Sequence, residues 1–249
     1  MDLAPEDRGE NIRREICLTL EQMGIRPESS HHEEGPGQNE IDFRYSDPLT
    51  AADNTMTFQT VVKTVARRNG VFVDFSPKPL DDKPGNGFHI NVSVKPGDIT
   101  ENLRHMVAGV LDKVVEMTAF LNPTKDSYKR FGMDKAPGYV SWSSENRSQL
   151  VRIPAAIGEY RRAELRSPDP TANPYLAFTL MIYAALYGLE NKLVLPEAAN
   201  INLYKADAET LARFKKLPDS LSDACKEAAA SEFIKEHIPA AILEIYCNK

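Results

Sequence analysis

Residues 88–94, Phe88-His89-Ile90-Asn91-Val92-Ser93-Val94, alternate strictly between apolar and polar side chains. Successive side chains of a strand point to opposite faces, so Phe88, Ile90, Val92 and Val94 share one face and His89, Asn91 and Ser93 the other. The stretch therefore predicts a strand with an apolar core side and a polar side available for chemistry. A turn-rich loop over 77–87 precedes it, and residues 71–75, Val-Phe-Val-Asp-Phe, read as a further short strand. After it, Leu103, Met106, Val110, Val114 and Met117 give one apolar stripe, predicting a long helix over 99–121. Three more strands are expected around 139–142, 149–153 and 162–166, and an apolar, buried helix over 173–189. Nearer the start, helical spacing predicts helices over 7–23 (Ile12, Ile16, Leu20, Met23) and 49–69 (Phe58, Val61, Val62, Val65). Strands followed by packed helices indicate an α+β fold with a largely antiparallel sheet, in one domain over 1–249 whose part from about residue 173 is helical.

The 249 residues suit one large domain or two small ones. A formal net charge of −6 argues against a nucleic-acid or anionic-membrane surface. No apolar run is long enough to span a bilayer, and the first residues lack the basic and apolar regions of a signal peptide. Cys17, Cys225 and Cys247 are widely spaced with no CxxC, which reads most simply as free thiols in a reducing cytoplasm.

Two stretches carry further chemistry. Residues 28–43 run Glu-Ser-Ser-His-His-Glu-Glu-Gly-Pro-Gly-Gln-Asn-Glu-Ile-Asp-Phe. Gly35-Pro36-Gly37 reverses the chain, so two extended arms run side by side and Glu33 and Glu40 approach each other. Paired carboxylates favour a hard divalent cation between them, and a solvated acidic hairpin is the plain alternative. In 162–166, Arg162, Glu164 and Arg166 project to one side of a strand. That comb is either a salt-bridged edge or a metal ligand flanked by phosphate-neutralising arginines. A lone histidine such as His89 is more often structural than a ligand.

Together these motifs resemble bacterial type I glutamine synthetase. His-His-Glu, Pro-Gly-Gln and Glu-Ile-Asp-Phe resemble the family's central motif. Gly85, Gly87, His89, Asn91 and Ser93 follow its Gly-x-Gly-x-His-x-Asn-x-Ser pattern. Asn122-Pro123 with 127–130, Ser-Tyr-Lys-Arg, and 141–143 with Asn146-Arg147-Ser148 and 151–154 also match in order. The resemblance runs from about residue 2 to about 204 and implies part of the family's catalytic domain, of guanido-kinase-like fold. It implies Glu33 and Glu40 as ligands of one Mg2+ or Mn2+, and His89 and Glu164 as ligands of a second. Arg130, Arg147, Arg152 and Arg166 would bind substrate and stabilise the transferred phosphoryl group, Gly85 would lie at the substrate, and Glu28, Tyr45, Ser93 and Arg162 would lie near ATP. The implied reaction joins glutamate and ammonia through γ-glutamyl phosphate, in a cytoplasmic homo-oligomer.

The resemblance also implies departures. Nothing before Met1 corresponds to the family's small N-terminal domain or its first metal-binding strand. Each cation site would lack one carboxylate, and the expectation is a truncated or split protein needing an N-terminal half. Lys135 stands where the family has a glutamate facing ammonium, and Pro84 where it has an asparagine beside the substrate amino acid. An ammonium side chain repels an ammonium substrate. An amine other than ammonia therefore stays open, as does an inactive fragment that binds nucleotide or metal or pairs with another chain. Lys215-Lys216 precede Leu217-Pro218 where the family has its adenylylated tyrosine, so that regulation is not expected.

Overall fold

In the computed structural model, which describes residues 6–94, 99–133, 135–144, 146–156 and 158–247, the chain divides into two compact units. One comprises Met1–Phe75 and Pro79–Asn86, the other Ser76–Lys78 and Gly87–Lys249.

In the first unit, helix α1 (Glu10–Gln22) and helix α2 (Pro48–Arg68) pack against a two-stranded ribbon, β1 (Pro27–His32) and β2 (Asn39–Phe43). Proline at the first position of α2 loses no hydrogen bond, and the Asp47 side chain caps the helix by accepting from the Thr50 amide. Ile16, Leu20, Ile25, Val61, Val62 and Val65 form the unit's core. Arg13 leaves that apolar stripe buried and ties α1 to both strands: its guanidinium donates to Ser30 Oγ (3.1 Å) and Asn39 Oδ1 (2.5 Å) and pairs with Asp7 (2.5 Å). Hydrogen bonding to Arg13, with its charge, holds the Asp7 carboxyl below the ordinary value of 3.8 against an opposing effect of burial. A depressed carboxylate contributes stability above its unfolded pKa and loses it as pH falls through the folded one. The stability difference between the wild-type chain and Asp7→Asn, read from urea midpoints, should therefore be constant above about pH 4 and shrink below it. A difference independent of pH down to the acid unfolding transition would remove the ion pair from the argument.

The expected strand over 71–75 belongs to no ladder, and Phe72 is 89% exposed. Alternation and β-branched residues suit a strand, but a strand exists only where another backbone completes its hydrogen bonds. Among the described residues none does so here.

The second unit is built on a four-stranded sheet with order β3-β6-β5-β4: β3 (Ile90–Val92), β6 (Ala163–Leu165), β5 (Val151–Arg152) and β4 (Trp142–Ser143). Two of the three pairings are antiparallel, and β4 with β5 is parallel. Strands form at or beside all four expected stretches: β3, β5 and β6 are shorter than expected, and β4 starts only at the last residue of the expected 139–142. Helix α3 (Ile99–Leu121) and helix α4 (Pro174–Glu190) make the most extensive contact in the chain. Their apolar side chains, with Ile90, Val151, Ala163 and Leu165, form one core. From 192 to 219 the chain is mostly irregular, with one short helix, α5 (Ala208–Leu211), rather than helical throughout. Helices α6 (Leu221–Ala230), α7 (Glu232–His237) and α8 (Ala240–Cys247) then close over the end of α3. No described helix is long and apolar enough to cross a membrane.

Candidate functional site

Among the described residues, side chains of candidate chemistry gather in each of the two units. In the first unit the Gly-Pro-Gly turn reverses the chain as expected. Gly37 takes a left-handed φ of +69°, and the Glu33 and Gln38 amides donate to the Gln38 and Gly35 carbonyls (2.8 and 3.0 Å). The Gln38 side chain then donates to the Gly85 carbonyl at 2.9 Å, fixing the loop that carries Gly85. In the ribbon His31 stands opposite Glu40, and Glu33 lies two residues beyond His31 on the same side. One ligand atom from each of His31, Glu33 and Glu40 lies within 4.8 Å of the others. His31 Nε2 is 3.0 Å from Glu33 and 4.0 Å from Glu40. Two carboxylates and an imidazole converging at this spacing fit a divalent cation such as Mn2+, though exposed acidic groups also occur without one. Sequence reasoning missed His31. Its signal was legible: the residue two before Glu33 on a strand shares its face, and a tight turn sets Glu40 opposite.

Glu28 and Tyr45 lie apart from this cluster in chain order and are exposed; the Arg44 guanidinium sits 5.8 Å from the Tyr45 ring.

The second cluster occupies the polar face of the four-stranded sheet. Register sets Asn91 opposite Glu164, and Glu164 opposite Arg152. Residues two apart on a strand share a face, which adds His89, Arg162 and Arg166 to the row. Glu164 is its centre, with His89 Nδ1 at 3.3 Å, Arg152 Nη1 at 2.9 Å and Arg166 Nη1 in a short contact. Arg162 donates to Asn91 Oδ1 at 3.1 Å. Arg147 is exposed on the turn before β5 and Ser93 is exposed just after β3. Burial first, then the charges of Arg166, Arg130, Arg147 and Arg152, hold the His89 pKa well below its ordinary value, so the ring is neutral. A Cβ on Gly87 would come within 3.0 Å of the His89 ring, so the glycine leaves that ring its place.

Arg130 is buried differently. It donates to the Ser167 and Pro168 carbonyls (3.1 and 3.4 Å) and lies 3.8 Å from Asp169. Asn122 donates to the Ser167 carbonyl and to Asp169 as well (2.8 and 3.0 Å). Burial lowers the Arg130 pKa to about 10, against the attraction of Asp169. Its side chain is 2% exposed, so what Arg130 does here is hold the loop after β6 in place.

The arrangement in the second unit does not fit the expected second cation. Glu164 is already held by two guanidinium groups, its other neighbour is one neutral imidazole, and the surrounding charge is positive. A cation would bind only after Glu164 released both arginines. An anion with several oxygens, such as a phosphoryl group, meets the charge directly. Arg166 also donates to the Lys135 carbonyl (3.4 Å), where Lys135 takes a left-handed φ of +68°. The adjacent acidic residue, Asp134, lies outside the described residues.

The model of the glutamine synthetase catalytic domain matches residues 1–249. The chain belongs to this family. It is 43% identical to a glutamine synthetase of Staphylococcus aureus over 99% of its own length, and 42% identical to one of Methanosarcina mazei over its whole length. In both cases it spans 59% of the relative. Among solved structures it matches a GmaS–ADP complex with a TM-score of 0.86 at 29% identity, covering 98% of this chain and 60% of that one. It also matches GmaS without ligand, with a TM-score of 0.84 at 30% identity over 96% and 58%. The α+β fold is the family's, as the motifs implied.

Proposed function

We propose that this chain is the larger part of the catalytic domain of an ATP-dependent ligase that joins the γ-carboxylate of glutamate to ammonia or another amine through an acyl phosphate. The observation that carries the reading is the row across the second unit's sheet, in which Arg152 and Arg166 flank a buried carboxylate beside His89. In this reading Arg147, Arg152 and Arg166 receive the phosphoryl group and offset its charge as the bond to ADP breaks. Arg162 and Ser93 serve the nucleotide. Glu164 fixes the two guanidinium groups and so sets where their positive charge meets the phosphoryl group. Arg130 positions the loop after β6. In the first unit His31, Glu33 and Glu40 would hold one Mg2+ or Mn2+, which when bound screens phosphate oxygens and polarises phosphorus. In this reading no second cation takes part at the row, because both Glu164 oxygens are already held by guanidinium groups.

Lys135 favours a second reading of the amine. Its position near the Arg166 end of the row, where the family has an acid, disfavours free ammonium and suits an amine that brings a negative group of its own. The family's oligomeric assembly is likewise proposed for the complete protein.

The test is phosphate release by the chain with ATP, Mn2+, glutamate and a panel of amines. Release that requires both metal and amine supports the ligase. Glu33→Gln with Glu40→Gln should weaken Mn2+ binding at least tenfold, measured by calorimetry, because each change removes an anionic ligand. Unchanged Mn2+ affinity would remove the ribbon from the mechanism. No release with any amine would favour a chain that binds nucleotide or metal without turnover, or that requires another chain.

A further inference from the structure

Cys225 and Cys247 lie far apart in sequence but meet in the second unit. Cys225 is buried in α6, and Cys247 ends α8, which packs along α6. Cys225 belongs to the unit's core cluster and Cys247 packs against it half-buried, and both line one cleft of about 690 Å3 with Tyr128 and Tyr246. The Cys225 thiol donates to the Tyr246 carbonyl at 3.5 Å, the carbonyl of the residue next to Cys247. Helix α8 has no fully buried residue; what holds it is partial packing and the Tyr246 ring stacked on Phe120 at 4.7 Å. A thiol on α6 aimed at the peptide that carries Cys247 on α8, with both cysteines lining one cleft, is a placement from which a disulfide can close.

We propose that Cys225 and Cys247 are a dithiol pair that a peroxide oxidises to an intramolecular disulfide, fastening α8 onto α6. In the first step one thiolate attacks a peroxide oxygen. The O–O bond breaks, hydroxide leaves, and the sulfur becomes a sulfenic acid. In the second, the other sulfur attacks the sulfenic sulfur, the S–S bond forms, and water leaves with the thiol proton. Two thiols and one hydrogen peroxide give one disulfide and two waters. Burial and the neighbouring Cys225 push the Cys247 pKa up to about 12, so its thiolate is scarce at neutral pH and its oxidation accelerates as pH rises. The cleft admits the small oxidant. Tyr128, which lines the same cleft, precedes Arg130 by two residues, so the staple would also stiffen the base of the segment that carries Arg130.

The experiment treats the purified chain with hydrogen peroxide at about pH 8, blocks remaining thiols after denaturation, and maps the peptides by mass spectrometry. The expected result is loss of two of the three thiols, a cross-linked peptide joining Cys225 to Cys247, and a free Cys17. Dithiothreitol should reverse it, Cys17→Ser should behave as the wild type, and Cys225→Ser or Cys247→Ser should form no intramolecular cross-link. Closing this loop should raise the melting temperature of the oxidised chain by roughly 5–10 °C. Retention of all three thiols, oxidation of the two cysteines separately to sulfinic acids, or dimers alone would overturn the pairing. A cross-linked chain that melts no higher than the reduced one would overturn the fastening of α8.

Discussion

Replacing Glu164 by Gln is expected to lower the stability of the second unit by about 3 kcal/mol and to abolish any phosphate release that the complete protein shows. The change is isosteric, so no cavity forms. What is lost is the carboxylate that compensates two guanidinium groups, one of them on Arg166, whose side chain is 2% exposed. Water cannot screen Arg166 there, and Arg130, Arg147 and Arg152 raise the positive potential further. Removing one partner of a buried pair costs about 3–5 kcal/mol, and glutamine sits at the low end because its carbonyl still accepts a hydrogen bond. The measurement is a urea midpoint for Glu164→Gln, Arg166→Gln and the double variant. The double variant should recover stability relative to the sum of the single changes, since it leaves no uncompensated charge at that pair. Additive losses would mean that Glu164 and Arg166 do not act as a pair, and the proposed alignment of the guanidinium forks would fall with them. Wild-type phosphate release from an active Glu164→Gln protein would remove Glu164 from the chemistry.

How far the sequence shows this site depends on the range of the interactions involved. Strict alternation is a local property, so the polar face of residues 88–94 and the comb at 162–166 were legible, and the structure brings His89 and Glu164 together from them. Helix α3 occupies the expected residues, because a stripe repeating every three or four residues has one geometric solution. The acidic hairpin was legible for a similar reason: a Gly-Pro-Gly reversal leaves few registers. What was illegible depends on a distant partner. Residues 71–75 have strand-forming side chains and no ladder among the described residues. Arg130 reads from its motif as a substrate ligand, and nothing local shows that its terminal nitrogens also meet Ser167, Pro168 and Asp169, close to forty residues later. The charge around Glu164 is likewise a sum over arginines from several segments, and only their assembly shows that the row suits an anion better than a second cation.

Gly109→Ala is expected to destabilise the chain by about 3 kcal/mol, although alanine is the better helix former by about 1 kcal/mol and Gly109 lies in the middle of α3. The reversal of sign comes from α4. A Cβ on Gly109 would meet the Ala184 carbonyl oxygen at 2.1 Å and the backbone of Gly188 at 2.7 Å. A Cβ on Gly188 would in turn meet the His105 carbonyl oxygen at 2.1 Å and the Gly109 backbone at 2.8 Å. These are backbone atoms within two helices and cannot rotate aside as the tip of a side chain does. The only relief is to move α3 and α4 apart along the largest contact in the chain, opening space beside Val107, Leu111, Ala184 and Ala185. Gly188→Ala should cost a similar amount. The double variant should cost less than the sum, since one separation of the helices accommodates both methyl groups. Urea midpoints of the three variants decide the matter. A midpoint at or above that of the wild type for Gly109→Ala would mean that ordinary helix propensity prevails and that the two helices do not meet backbone to backbone. Neither glycine stands out in the sequence, because each sits inside a helical pattern where glycine reads only as a weak position. Their meaning lies in each other, some eighty residues apart, and it fixes how closely the helices beneath the sheet can approach.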